Sequence, residues 1–194
     1  MTTTPIRTTS KADAHRAIAV MVLAFSADPV IRWIYPEPHV YLGHFPDFVR
    51  KFAGKAFDRE SAYHLDGFTG AALWRPPGVE PDSKEIVAFL QRTVPKTLQN
   101  DVFTLFEQAS HYRPDKPYWH LSLIGVDANQ QGRGLGSKLI EHALIPCNRK
   151  EEFAYMTQSN PNMIPFYERY GFQVLDTLRV GSSPPLFPML RKPR

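Results

Sequence analysis

The chain has 194 residues, 43% of them apolar and 22% charged, the balance of an ordinary globular protein, and its length favours a single domain over residues 1–194. Its net charge of +4 is spread out apart from Arg149-Lys150 and Arg191-Lys192-Arg194, which argues against nucleic acid as a partner because that calls for a basic face and a reading motif. The longest run without a polar residue, 17–25, is well short of the roughly 20 apolar residues that cross a bilayer, and the lone Cys147 allows neither an intrachain disulfide nor a cysteine metal cage, so the expectation is a cytoplasmic chain with no membrane partner and no metal.

Ile18, Met21, Val22 and Phe25 recur at helical spacing, which predicts a helix over 11–26 with Ser10 as its cap and Pro29 beyond its end. An aromatic loop with Trp33, Tyr35 and Tyr41 follows, then a helix near 44–57. Two short β-like runs, 62–65 and 69–74, flank Asp66-Gly67, a hairpin signal. Helices are expected at 83–93 and 96–110, divided by Pro95. Beyond them come a strand at 118–126, a helix at 135–145, a strand at 153–158, a short helix at 162–170, and strands at 172–178 and 186–190. The order predicts a mixed α/β sheet.

The segment 121–140, LSLIGVDANQQGRGLGSKLI, runs an apolar strand into a glycine-rich turn that opens an amphipathic helix. Glycines let backbone approach an anion, and the first-turn N–H groups of a helix point at it with a favourable dipole. Arg133 adds a charge-assisted donor. Three glycines in a tight strand-to-helix turn account for the layout equally well. No glycine precedes Lys-Ser or Lys-Thr, so this is not a P-loop. Ser137 stands where a dinucleotide fingerprint needs its last glycine. What remains is Gln131-x-x-Gly134-x-Gly136 directly after a strand.

That pattern resembles the acetyl-coenzyme A signature of the GNAT superfamily of N-acetyltransferases. A second match follows in the right order: Asn160-Pro161-Asn162, then Phe166-Tyr167-Glu168-Arg169-Tyr170, then Gly171-Phe172. HYRPDKPYWHLSLIGV and the terminal MLRKP are similar to puromycin N-acetyltransferase-like members, and the resemblance runs from about residue 111 to the end. It implies a central mixed, mostly antiparallel sheet flanked by helices. Acceptor-side helices would lie mainly in 1–115 and the acetyl-CoA-binding part mainly in 116–175. It further implies pantetheine along the backbone of Ile124, Gly125 and Val126. Pyrophosphate would lie on Gln131, Gly132, Arg133, Gly134, Leu135, Gly136 and Ser137, with Asn160, Pro165 and Phe166 beside the cofactor. Tyr167 would be the general acid for the departing thiolate, because charge builds on the carbonyl oxygen and then on sulfur.

The base is less well marked. The resemblance implies a Glu, often found in puromycin N-acetyltransferase-like members, where Thr157 stands; His120, with its near-neutral pKa, is the possible base, Glu168 and Glu107 are further candidates without positional support, and water is the alternative. Trp33, Tyr35 and Trp74 are the expected acceptor-pocket residues; each is equally a core aromatic. The expected activity is acetyl transfer to a primary amine of a small molecule, by a monomer or homodimer. A non-catalytic acyl-CoA sensor with the same fold, and an interaction module in which the turn is only a turn, remain as alternatives.

Overall fold

The computed structural model describes residues 5–193. Seven strands among these residues form one sheet in the order β1-β2-β3-β4-β5-β7-β6: β1 Ile6–Thr8, β2 Ala62–Leu65, β3 Gly70–Arg75, β4 Tyr118–Val126, β5 Phe153–Gln158, β6 Phe172–Val174 and β7 Phe187–Arg191. Every pairing is antiparallel except β4 with β5. The mixed, mostly antiparallel sheet that the family resemblance implies is therefore the observed one. The Asp66-Gly67 hairpin forms between β2 and β3, with Gly67 at a φ of 78°.

Helices α1 (Ala14–Ala24), α2 (Pro29–Ile34), α3 (Pro38–Ala53), α4 (Lys55–Asp58), α5 (Ser83–Thr93) and α6 (Lys96–Ser110) precede β4. Their apolar faces, with Ala71 and Leu73 of β3 and Leu123 of β4, make one core. Helices α7 (Leu135–Ala143), α8 (Ile145–Lys150) and α9 (Ile164–Glu168) follow β4. A second core joins α7, α8 and α9 to Trp74, Trp119, Leu121, Met156 and Met189.

Several boundaries differ from expectation for identifiable reasons. The cap of α1 is Asp13, and Ser10 instead bonds the Asp13 N–H at 3.2 Å, closing the turn before the helix. The aromatic loop contains α2, with Pro29 in its first turn and Asp28 as cap. α3 begins before the predicted 44 and carries Pro46 in its interior, a residue that costs about 3 kcal/mol in an isolated helix. A ladder of rings offsets this: Tyr41, Phe45, Phe48 and Phe52 succeed one another at centroid spacings of 5.1, 6.0 and 5.3 Å on the buried face. The expected strand at 172–178 shortens to β6, and β7 inserts between β5 and β6.

Candidate active site

β4 and β5 pair at three positions only, Tyr118↔Phe153, Trp119↔Ala154 and His120↔Tyr155. Beyond His120 the two strands follow different partners, β4 running with β3 to Gly70↔Val126 and β5 with β7 to Gln158↔Phe187. A wedge opens between them, and the edge of β4 facing it has no strand partner among the described residues past His120. Backbone N–H and C=O groups on such an edge need partners, and an extended ligand supplies them as a strand would. The β3–β4 register also slips between Leu73 and Trp74, so Leu121 and Leu123, two residues apart, enter opposite cores. Ile124, Gly125 and Val126 form the open arm. A Cβ on Gly125 would lie 2.4 Å from the Cβ of Ala24, so glycine is what lets the end of α1 rest on this arm.

The β4 arm leads into the glycine turn. Asp127 Oδ1 accepts the Asn129 N–H at 2.9 Å, and Gln131 Nε2 donates to the Val126 carbonyl at 3.3 Å. Gly134, at a φ of 73°, occupies the cap position of α7 and offers no side-chain cap, leaving the first-turn N–H groups uncovered. A Cβ at Gly132 or Gly134 would stand in open space. Gln131, Gly132, Arg133 and Gly134 are exposed, Leu135 is anchored in the core beneath them, and Gly136 lies against Phe166, where a Cβ would be 3.6 Å from the ring. An anionic group with an extended arm fits this turn and the β4 edge together, as acetyl-CoA requires.

The β5 arm ends in a second hydrogen-bonded group. Gln158 Oε1 accepts the N–H groups of Ser159 and Asn160, both at 2.8 Å, and Asn160 Oδ1 accepts the Asn162 N–H at 3.0 Å. The Gln158 side chain also hydrogen-bonds the Tyr167 hydroxyl. Pro165, Phe166 and Tyr167 come from α9, with the Phe166 and Tyr167 rings edge-to-face at 5.0 Å. Tyr167 is 4% exposed, and burial pushes its pKa far up, so the hydroxyl keeps its proton at any physiological pH.

The remaining sequence candidates fall elsewhere. His120, at the apex of the wedge, is fully enclosed: Arg75 Nη2 meets its Nδ1, Phe52 stands edge-on at 6.0 Å, and Tyr155 lies at 5.6 Å. Burial first, and then the Arg75 and Arg113 charges, hold its pKa well below the usual range. A ring whose Nδ1 lone pair faces a guanidinium is poorly suited as a base. Arg75 itself is 1% exposed and ties this corner together through Ser122 Oγ at 3.1 Å and Glu80 at 3.0 Å. Tyr35 is 1% exposed with its hydroxyl on Thr93 Oγ1 at 2.9 Å. Trp74 is 0% exposed and lies in the α7-side core, on the sheet face away from α1 to α6. Neither lines an open pocket. Trp33 is half-buried, and its Nε1 donates to Ser182 Oγ at 3.1 Å, linking α2 to the segment before β7.

Sequence reasoning passed over Asp28. An Asp before Pro at the end of an apolar run is legible as a helix cap, and it does cap α2, accepting the Ile31 N–H at 2.9 Å. Its other oxygen accepts from the Ser159 hydroxyl, a contact across 131 positions that no local pattern announces.

Residues 100–192 match the family described as acetyltransferase (GNAT) domain. The chain is 26% identical over 212 residues to an uncharacterized N-acetyltransferase of Schizosaccharomyces pombe, an alignment covering 93% of this chain and 80% of the relative. In fold it is similar to a histone acetyltransferase HPA2 and related acetyltransferase structure from Corynebacterium glutamicum, with TM-score 0.67, 21% identity and coverage of 97% and 96% of the two chains. It is also similar to arylalkylamine N-acetyltransferase 2 from Aedes aegypti, with TM-score 0.69, 13% identity and coverage of 98% and 99%. An agmatine N-acetyltransferase mutant gives TM-score 0.65, 12% identity and coverage of 97% and 98%. The parallel pair splayed around the glycine turn lies within the residues that match the acetyltransferase (GNAT) domain, and over nearly its whole length the chain has the fold of these acetyltransferase structures.

Proposed function

We propose that this chain transfers an acetyl group from acetyl-CoA to a primary amine of a small molecule. The observation that carries the reading is the wedge between β4 and β5, bordered on the β4 side by the uncovered turn at Gly134 and on the β5 side by Tyr167. Bound acetyl-CoA supplies an acetyl group activated as a thioester. Ile124, Gly125 and Val126 offer the main-chain edge for its pantetheine arm. The amides from Gln131 to Ser137, with Arg133, receive the pyrophosphate. Asn160, Pro165 and Phe166 line the other side. Tyr167 holds a proton at Oη for the leaving sulfur, and a backbone N–H near Val126 is the donor for the carbonyl oxygen.

The acceptor enters from the side of α1 to α3, with Trp33 as the half-buried aromatic of that approach. Two fold neighbours are named for arylalkylamine and agmatine acceptors, which supports a small amine here. The puromycin-acetyltransferase-like segment lies in the cofactor half and carries no acceptor identity. Among the described residues no helix is long and apolar enough to cross a membrane. The buried, unpaired Cys147 supports a reducing cytoplasm, and dispersed charge supports a partner other than nucleic acid.

Calorimetric titration with acetyl-CoA, followed by a free-thiol assay against primary amines, tests the proposal. Binding with thiol release is expected, and Tyr167→Phe should lower turnover by about a hundredfold or more with cofactor affinity unchanged. Binding without release for any amine would favour the sensor, and no binding by folded protein would remove the assignment.

A further inference from the structure

The segment joining α1 to α2 bridges the wedge. Its start rests on the β4 arm, where Ala24 packs against Gly125, and its end is tied to the β5 arm, where Ser159 Oγ donates to Asp28 Oδ2. Asp28 thus stands at the mouth between the arms, held by two bonds: the Ser159 hydroxyl, and the Ile31 N–H that it caps. Ser159 follows directly on Gln158, whose side chain bonds the Tyr167 hydroxyl. The carboxylate and the phenol therefore face the same end of β5. None of the ion pairs among the described residues includes Asp28.

We propose that Asp28 receives the acceptor's ammonium group and takes its proton, so the acceptor is a primary amine that arrives as a cation. This rests on the acetyltransferase reading above. An ammonium N–H bond breaks and its proton passes to an Asp28 carboxylate oxygen. The freed nitrogen lone pair forms the C–N bond to the acetyl carbon, and the C–S bond breaks with its electrons on sulfur. The Tyr167 hydroxyl protonates that sulfur. The second proton lost by nitrogen goes to solvent, from which Tyr167 is reprotonated, and Asp28 later releases its own proton. One proton is released net per amide and free thiol formed.

The surroundings suit the task. Apart from the α2 amides of Val30 and Ile31, the groups facing Asp28 are the Ser159 hydroxyl at the end of β5 and the phenols of Tyr167 on α9 and Tyr41 on α3, and the Arg32 guanidinium, one turn further along α2, lies 5.3 Å from the centre of the Tyr41 ring. Burial raises the pKa of both phenols, so they are neutral where a carboxylate titrates. Burial likewise pushes the Asp28 carboxyl up, against the lowering effect of its hydrogen bonds, which makes it a stronger base.

Asp28→Asn tests this, because Asn caps a helix about as well as Asp through Oδ1, and the amide NH2 that replaces Oδ2 donates to the Ser159 oxygen. Wild type and variant are titrated with acetyl-CoA. Both are then assayed for thiol release with phenethylamine, tyramine, benzylamine and 1,4-diaminobutane, cations at neutral pH, and with aniline and benzhydrazide, which are uncharged there. Acetyl-CoA affinity should be unchanged. For the alkylamines kcat/KM should fall by about a hundredfold or more and lose its acid limb with pH, while the uncharged acceptors lose less than about tenfold. Ser159→Ala, by removing a bond that favours the ionised carboxyl, should move the wild-type acid limb upward. Unchanged alkylamine turnover in Asp28→Asn, or equal losses for charged and uncharged acceptors, overturns the Asp28 assignment alone. Acetyl-CoA binding by wild type with no thiol release from any acceptor overturns it together with the transferase reading, and no acetyl-CoA binding overturns that reading at its root.

Discussion

His120 should make the fold sensitive to acid while leaving no mark on the pH profile of catalysis. Its ring is sealed at the apex of the wedge with Nδ1 against the Arg75 guanidinium, so a proton there would place a second cation in an enclosed site. The folded ring stays neutral well below pH 6.5, whereas in the unfolded chain it protonates near that value. The unfolded state therefore binds more protons as pH falls, and the stability that the neutral ring contributes is complete above pH 6.5 and is lost below it. One proton's difference is worth about 1.4 kcal/mol per pH unit, or about 2 kcal/mol between pH 6.5 and pH 5. That is a sizeable share of a typical stability of about 5–15 kcal/mol. Urea unfolding of wild type and His120→Gln at pH 8, 6.5 and 5 measures it. Glutamine keeps an acceptor for Arg75 and cannot titrate. The stability difference between the two proteins should shrink by about 2 kcal/mol from pH 8 to pH 5, and the two kcat/KM profiles should share the same limbs. Parallel stability curves would refute the buried, neutral imidazole, and an acid limb lost only in His120→Gln would restore the ring as a base.

Two further variants probe the turn and the α7-side core. Gly134→Glu and Gly134→Ala both force a side chain into the left-handed region at a cost of about 1–2 kcal/mol, but only the glutamate sets a negative charge at the uncovered end of α7. Calorimetry should find acetyl-CoA binding abolished in the first and largely kept in the second; equal affinities would remove the pyrophosphate from this turn. Cys147 is buried, with its thiol pushed up to about 12 by desolvation, so iodoacetamide at pH 8 should leave it unmodified in folded protein and label it in urea. Labelling of the native state at the denatured rate would contradict that packing.

Much of the molecule was legible where local pattern and final structure coincide. The Asp66-Gly67 turn lies between runs that pair with each other and with nothing intervening, so a short-range signal sufficed. The glycine turn was legible because strand, turn and helix are contiguous. α3 was only half visible: Pro46 masked a ring ladder that becomes favourable once it is buried against the sheet. β7 could not be placed by pattern, since nothing in residues 187–191 says that the strand inserts between β5 and β6.

Periodicity and turn chemistry were enough, by themselves, to determine the mixed sheet and the helix that opens on glycines, whereas the residues expected around the cofactor came from the family resemblance that two motifs in order carry. Such features depend on residues close in sequence, whose spacing the backbone converts directly into shared faces and turns. Tertiary structure alone decided which side of the sheet each aromatic occupies and what each polar group meets. A slip of one position between β3 and β4 sends Leu121 and Leu123 to opposite cores, and the face taken by β3 puts Trp74 in the α7-side core. His120 became an enclosed partner of Arg75 because β3 and β4 lie side by side, and Asp28 met Ser159 because the segment joining α1 to α2 passes the end of β5. Contacts of that kind are set by sheet register and by the path of a loop across it, neither of which any local window of sequence encodes.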